Sequence, residues 1–469
     1  VSVSRFPHHA PWRFPDVADR TRLPDLGPEL PFRFPAIRRS TLANGLRVWT
    51  VEHPQVPLIA LLALIPVGAS SDPSNQPGLA AITGDMLDEG CGDRSALDVH
   101  EAIGRIGAQL DLDVGYDATV IGITTLERHL DRGLELMRDM LVRPRFEQRE
   151  FDRVRDQRLN RLLQLKDMPP ALADRAFAQL LYRNHPYGHL PIGSESALRA
   201  LMIRDITSFH RRACIPSRTT VIAVGDASHQ RLQDEVTRAF EAWRAEEIEP
   251  VADPETFAAA LPPAARLALV HRPGAAQSEL RIGHVALPRR TADYHGALVA
   301  NMILGGQFVS RINMNLREEK GYTYGARTAF EFRRAPGPFV MHASVQSDAT
   351  ADALKESLAE IRAIRGERPV TRQELEVGRA SLTRGYPRNF ETADQIARAA
   401  AQLALYDLPD DYFSTFVPKM MALTEEAVTA VAAKHIDPDR LLAVVVGDRD
   451  KLGSSLRVLE LGEVADVAT

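Results

Sequence analysis

The sequence predicts an α+β protein made of two similar halves, each a β-sheet covered by helices. Three observations carry this prediction. The run TVIAVGD (Thr220–Asp226) returns as LAVVVGD (Leu442–Asp448), so two apolar strands close on the same Gly-Asp pair, 222 residues apart. Two helical runs open at Arg149 (REFDRVRDQRLNRLL) and Gln373 (QELEVGRASLTRG), at the nearly identical offset of 224 residues. A polar-capped helix precedes each final strand, IRDITSFHRRACIP in the first half and LTEEAVTAVAAKHIDP in the second. A constant offset of this kind marks an internal repeat, and 469 residues leave room for two such units.

Residues 1–36 stand apart from the repeat. Seven prolines lie among Phe6, Trp12, Phe14, Phe32 and Phe34. Such a segment runs extended and cannot pack as a helix. It reads as an N-terminal arm, either a loose tail or a strap that lays its aromatic rings on another surface.

The first half is assigned to residues 37–245. Asn44-Gly45 is a favoured hairpin turn between Ile37–Leu42 and Leu46–Glu52. LIALLALIPVG, from Leu58, follows as a buried strand. In GLAAITGDMLDEG (Gly78–Gly90), Leu79, Ile82, Met86 and Leu87 recur at helical spacing. Ala81, Gly84 and Asp85 then share one face of that helix. Residues 246–264 are rich in Pro, Ala and Glu without strand period, and read as a linker. The second half, 265–469, opens with strands such as RIGHVALP. A helix over Phe308–Lys320 is expected to bury Phe308, Val309, Ile312 and Leu316 and to end at Gly321. An extended run, YTYGA, follows.

Composition excludes more than it selects. The 57 basic and 62 acidic residues leave a net charge of −5, without the basic stripe of a nucleic-acid protein. The Arg-rich stretch 143–166 interleaves both signs and fits a solvated helix face. The longest apolar run, Leu58–Val67, is too short to span a membrane and contains Pro66. Cys91 and Cys214 form no disulfide framework and read as small buried residues. HExxH, Walker, GxGxxG and GxSxG motifs and paired CxxC are absent. His185 and His189 stand in HPYGH, whose proline and glycine make it a turn. A structural role is the plain reading there, because a metal site needs further ligands.

One segment does suggest chemistry. In GGQFVSRINMNLREEKGYTYGA, Arg317 falls in the last turn of the expected helix and Tyr324 lies seven residues on, across Gly321. A chain reversal there could bring guanidinium and phenol together, offering forked donors and a hydroxyl to a peptide carbonyl or an oxyanion. The plain alternative is a helix-end arginine beside a packed tyrosine.

These residues resemble the pitrilysin, insulin-degrading-enzyme and mitochondrial-processing-peptidase family of inverted-motif zinc peptidases, from about Ile37 to Leu456. IPVGASSDPSNQPGLAAITGDMLDEG follows the family's VGS–DP–GLAHFLEHMLF–G pattern with its catalytic letters removed. By this resemblance Ala81 replaces the first zinc histidine, Gly84 the general-base glutamate and Asp85 the second histidine. The third ligand, a glutamate, would fall near Leu162, where RLNRLLQ holds no acid. REEKGYTY, in contrast, keeps the arginine–tyrosine spacing of the family's second half, with Arg317 and Tyr324 in register. The departures are mild: Tyr322 replaces the usual leucine, and Ile312 stands where leucine is common.

The resemblance implies a metalloprocessing-peptidase-like pair of α/β-sandwich halves. It implies no metal in this chain, and a heterodimer in which a homologous HxxEH-bearing partner supplies zinc. Arg317 and Tyr324 would then bind an unfolded peptide and steady its oxyanion. No nucleic-acid or membrane partner is expected. Non-enzymatic scaffold and peptide-binding roles are the alternatives. A periplasmic location suits the split-subunit type and a chain starting at Val1 rather than Met; cytoplasm is the other choice.

Overall fold

The computed structural model describes residues 32–245, 251, 266–457 and 461–467, with Thr21 the one earlier position. Val1–Arg33 form one unit and Phe34–Thr469 a second. The arm's Phe6, Trp12 and Phe14 lie outside the described residues, as does the expected linker apart from the buried Val251. Phe34 is described: its ring packs 5.4 Å from Phe390 and 5.0 Å from Phe413, and its N–H donates to Ser414 Oγ at 3.0 Å.

In the first half, strands β1 (Arg38–Thr41), β2 (Arg47–Glu52), β3 (Leu58–Ile65), β4 (Gln109–Val114), β5 (Thr119–Leu126) and β6 (Thr220–Gly225) alternate with eight helices. These are α1 (Leu79–Asp85), α2 (Ala96–Arg105), α3 (Leu130–Val142), α4 (Gln148–Lys166), α5 (Pro169–Tyr182), α6 (Glu195–Ala200), α7 (Ile203–Ala213) and α8 (His229–Phe240). The second half holds β7 (Leu267–His271), β8 (Gln277–Val285), β9 (Thr323–Phe330), β10 (Pro338–Gln346), β11 (Leu442–Gly447) and β12 (Val464–Val467). Its helices are α9 (Tyr294–Asn301), α10 (Arg311–Asn313), α11 (Thr350–Ala363), α12 (Arg372–Thr383), α13 (Ala393–Tyr406), α14 (Tyr412–Met421), α15 (Glu425–His435) and α16 (Arg449–Arg457). Among the described residues no helix is long and apolar enough to cross a membrane.

The repeat read from the sequence is a repeat of topology. The first sheet runs β1-β2-β6-β3-β5-β4 and the second β12-β7-β11-β8-β10-β9. Replacing β2, β6, β3, β5 and β4 by β7, β11, β8, β10 and β9 converts one order into the other. Both β6–β2 and β11–β7 are parallel. Only the outer strand differs: β1 joins β2 as an antiparallel hairpin, whereas β12 returns from the chain's end to lie parallel to β7. β6 and β11 are buried along their whole length, as central strands should be. The glycine that closes β6 answers to a close approach: at Gly225 a Cβ would stand 2.1 Å from the Leu58 carbonyl oxygen.

The halves also exchange a helix. α5, from the first half, packs on β8 and β11 of the second sheet, and α13, from the second half, packs on β3 and β6 of the first. Leu172, Ala173, Ala176, Phe177 and Leu181 of α5 share one core with Ala268, Val270, Leu442, Val444 and Val446. On α13 the contact is alanine-rich (Ala397, Ala400, Ala401), which lets the helix lie close to the strands. Burying a Phe177-sized side chain stabilises by roughly 1.5–3 kcal/mol, so each half holds the other. Arg333 reinforces the seam, stacked 3.7 Å from the Tyr116 ring and 4.8 Å from that of Tyr187. The Tyr187 hydroxyl donates to Asp117 at 2.6 Å. Both cysteines are unpaired thiols, and burial pushes Cys91 up to about 11 and Cys214 up to about 12.

Candidate functional site

The first candidate lies at α1. Its start is fixed by Asp72, whose carboxylate accepts from the Gly78 and Ala80 amides, each at 2.7 Å. His189 Nε2 completes the cap at 3.0 Å from Asp72 Oδ2. Burial pushes the Asp72 carboxyl up, against these hydrogen bonds and the charge of His189. The HPYGH turn therefore has a local purpose: its second histidine buttresses the helix cap, and His185 Nδ1 accepts from the Tyr187 amide. The helix is shorter than the expected Gly78–Gly90; it ends at Asp85, and Met86 and Leu87 are buried in the turn beyond it.

The four degenerate positions do not form a metal site. Ala81 is buried. At Gly84 a Cβ would stand 2.4 Å from Val114 Cγ2 and 3.3 Å from Leu112 Cδ2, so β4 fills the space that any side chain at position 84 would need. Asp85 is already held, with Arg158 Nε of α4 donating to its Oδ2 at 2.6 Å. Leu162 is 1% exposed in the first-half core. A catalytic zinc takes about three N, O or S donors. Here one carboxylate is present, and it is paired with a fixed guanidinium, so the residues do not fit the metal. Among the described residues no group of three His, Cys, Asp or Glu is placed to hold an ion. Beside Asp85 lies a cavity of about 510 Å³ lined by Asp88, Glu89 and His100. Burial raises the Asp88 carboxyl, and the Glu89 charge raises it further.

The second candidate surrounds Arg317, and here the helix expectation needs correction. α9 runs into a π-helical turn, Met302–Gly306; the chain then extends at Gln307 and restarts as α10 and a second π-helical turn, Met314–Glu319. Ile312 and Leu316 are buried as expected, but Phe308 and Val309 precede the helix and are exposed. The difference is one of start, not of register: the chain is non-helical from Gln307 to Ser310, so Phe308 and Val309 lie before the first helical residue, Arg311. Gly321, at φ 67°, ends the segment, with the Tyr322 amide donating to the Leu316 carbonyl at 2.9 Å.

Two polar side chains, Arg311 and Asn313, fix this segment. Arg311 forks onto Glu374 of α12 at 2.6 and 2.7 Å and donates to the Arg368 and Pro369 carbonyls. Burial pushes the Glu374 carboxyl up, but hydrogen bonds from Arg311 and Thr371 outweigh it and pull it down to about 2. Asn313 takes the Ala326 amide of β9 at 3.0 Å and donates to the Phe308 carbonyl at 2.7 Å.

Arg317 lies over the Phe308 ring at 4.7 Å and 3.2 Å from Glu318 Oε1, and its side chain is 39% exposed. Tyr324, the second residue of β9, is 88% exposed. No hydrogen bond or ring contact joins the two among the described residues, so the chain reversal does not bring them into direct contact. A cavity of about 510 Å³ opens at Arg317, with Phe308, Asn313, Arg327 and His342 on its walls. Arg281 also lines it, but Asp174 and Glu279 balance its charge at 2.6 and 3.1 Å. Burial and then the Arg281 charge hold His342 down at about 4, so it is neutral near pH 7. The cavity thus presents Arg327, and Arg317 with Glu318 beside it, as donors suited to carbonyl and carboxylate oxygens.

The sequence singles out Arg317 and Tyr324 as candidates but gives no sign of Val114, Arg158 and Asn313. These act through contacts 30, 73 and 13 residues apart (Gly84–Val114, Asp85–Arg158, Asn313–Ala326), which no local pattern displays.

Two profiles of one peptidase family match the sequence: Insulinase (Peptidase family M16) over residues 47–193 and Peptidase M16 inactive domain over residues 201–382. The chain is 27% identical over 428 residues to an uncharacterized zinc protease of Mycobacterium tuberculosis, covering 91% of this chain and 96% of that protein. It is 21% identical over 206 residues to a probable mitochondrial-processing peptidase subunit beta of Arabidopsis thaliana, covering 44% of this chain and 39% of that one. The fold is similar to that of a peptidase M16 inactive domain from Pseudomonas fluorescens, with TM-score 0.82, 24% identity, and coverage of 88% of this chain and 98% of that one. A protease from Helicobacter pylori is equally similar in fold, with TM-score 0.82, 20% identity, and coverage of 88% and 100%.

Proposed function

Since the chain belongs to the insulinase (M16) family of peptidases, we propose that it is the substrate-binding, non-zinc subunit of a two-chain metallopeptidase acting on unfolded peptides. The observation that carries this reading is the contrast between the two candidates. Val114 fills the space beside Gly84, and Arg158 holds the remaining carboxylate, Asp85. The cavity at Arg317 is open, with Arg317 and Arg327 in its lining.

A homologous HxxEH-bearing chain would bring the zinc and the general base. This chain's residues would do the rest. Arg317 would donate to a peptide carbonyl, or to the oxyanion that forms from it, and Tyr324 would present its exposed phenol to the same substrate. The peptide can also add to a sheet edge. On β9 the Ala326 amide is already taken by Asn313, which favours β4, with Gln109, Asp111 and Asp113 exposed, as the edge to receive it. The periplasm is the proposed compartment.

The test is zinc content and cleavage of an unfolded peptide by the purified chain, alone and mixed with the HxxEH-bearing homologue of the same organism. Zinc and cleavage are expected only in the mixture. Arg317→Ala should then lower kcat/KM about 100-fold, the scale of losing one oxyanion donor. Stoichiometric zinc in the isolated chain, or full activity in the Arg317→Ala mixture, would overturn the assignment.

A further inference from the structure

A third cavity, of about 440 Å³, lies where α13 crosses the first sheet. Its volume is that of a small-molecule site. Leu62, Leu64, Val120 and Leu405 give it apolar walls, and Arg289 stands in its lining. Arg289 is 5% exposed, and among the described residues no carboxylate lies within ion-pair distance of it. Its neighbour Arg290 takes Asp407 at 3.2 Å, and Arg398 at the rim is held by Asp111 and Asp394 at 2.6 and 2.9 Å. Arg289 is instead faced by rings: Tyr294 at 3.8 Å, Tyr412 at 4.8 Å and Tyr406 at 5.6 Å.

Aromatic faces attract a cation, and the Tyr412 hydroxyl also meets this guanidinium, but neutral groups alone do not offset the cost of burying a charge with no carboxylate beside it. Behind the lining, His295 Nε2 is buried without a hydrogen-bond partner among the described residues, its ring 6.0 Å from that of Tyr412. Burial, with the charges of Lys419 and Arg289, holds His295 down at about 4, so it adds no anion and no second cation near pH 7.

We propose that this cavity binds a carboxylate attached to an apolar group, and that in this chain the ligand is the free C-terminus of a peptide with an apolar last residue. The carboxylate would fork onto Arg289, and the side chain would lie against Leu62, Leu64 and Leu405. The choice of a peptide end rests on the peptidase reading above; the anion-plus-apolar chemistry rests on the cavity alone.

The test is calorimetric titration of the full chain, without a partner, with N-acetyl-leucyl-leucine and with its C-terminal amide. The acid should bind at least tenfold more tightly than the amide. Arg289→Gln should remove that preference. Leu405→Trp, which leaves Arg289 in place and fills the cavity, should abolish binding of both, with melting curves recorded to verify folding. Equal binding of acid and amide to the unaltered chain, or no binding of either, overturns the proposal without recourse to a variant. The two readings separate cleanly. Cleavage in the two-chain mixture with no acid preference sinks this site alone. An acid preference without cleavage in the mixture leaves the site standing and removes the peptidase reading.

Discussion

The two halves share a sheet order, yet each ties down its signature segment with an ion pair of opposite polarity. In the first half the signature segment supplies the acid, Asp85, and the long helix α4 supplies Arg158. In the second half the signature segment supplies the base, Arg311, and the repeat-equivalent helix α12 supplies Glu374. The first pair holds Asp85, the position that the family resemblance gives to a metal ligand, and is accompanied by a wall, Val114, against Gly84. The second pair lies behind Arg317 and leaves its cavity open. The fold asks only that the segment be pinned to the helix; which charge comes from which side is free to differ. The space in front of the segment is therefore what separates a closed half from an open one.

The strongest way to break the contrast is to reopen the first half. Gly84→Glu places a carboxylate against Val114 in a buried position, combining overpacking with an unpaired charge. It should destabilise by about 3–5 kcal/mol in denaturant unfolding and bind no zinc. Gly84→Ala sharpens the argument because two effects oppose. Helix propensity gains about 1 kcal/mol, while the 2.4 Å approach to Val114 costs more. Gly84→Ala should thus destabilise alone and become neutral or stabilising with Val114→Ala. Gly84→Glu as stable as the parent would show that Val114 yields, and that the first half is closed by chance.

The second-half pair predicts an acid limit. The Glu374 carboxyl is held down to about 2 in the folded chain from an ordinary value of 4.5. A depressed carboxyl contributes stability that is fully present above its unfolded value and is lost as pH falls toward the folded one. Stability should therefore drop by on the order of 3 kcal/mol between about pH 5 and pH 2. Glu374→Gln should remove that contribution at neutral pH and flatten that part of the profile. A parent-like pH dependence in the Gln variant would mean that other carboxylates carry the acid transition.

The paired sheets were legible because strand patterns repeat at a fixed offset, and a repeated pattern survives any local misreading. TVIAVGD and LAVVVGD became β6 and β11 in equivalent places. The exchange of α5 and α13 was not legible, because an apolar helix face does not state which sheet covers it. The segment after Gly305 was misread for a different reason. Apolar spacing does not mark where a helix begins, and this one begins at Arg311, leaving Phe308 and Val309 in the turn before it and in solvent. At the first candidate, Ala81, Gly84 and Asp85 could be set against the family's zinc-motif letters by resemblance. That Val114 and Arg158 occupy their surroundings could not be read, since both come from elements distant in the chain.

A smaller effect should follow from the first-half pair. Arg158 is mostly buried, but Asp85 is 40% exposed at its side chain, so solvent screens the attraction. Asp85→Asn should cost about 0.5–1 kcal/mol in thermal or denaturant unfolding. A loss of several kcal/mol would mean that Asp85 holds α1 to α4 as firmly as Glu374 holds its own segment, and the two pairs would then differ in polarity alone.

The smallest stability effect is the most informative about function. Tyr324 is 88% exposed on β9 and its phenol has no partner among the described residues, so folding takes nothing from its hydroxyl. Tyr324→Phe should change stability by less than about 0.5 kcal/mol, the range of surface substitutions. If the phenol serves only the protein's surface, peptide cleavage in the two-chain mixture will be equally untouched. If it serves the substrate, kcat/KM falls while the melting curve stays still. That combination is one a structural residue cannot produce: a tyrosine kept for packing would lose stability first and activity in consequence. The direction of the split matters too. A hydroxyl that steadies an oxyanion is used only in the transition state, so kcat falls with kcat/KM, whereas one that only holds the peptide raises KM at constant kcat. Unchanged kinetics would leave Arg317 to act alone, and the open cavity around it would then be the whole of this chain's contribution.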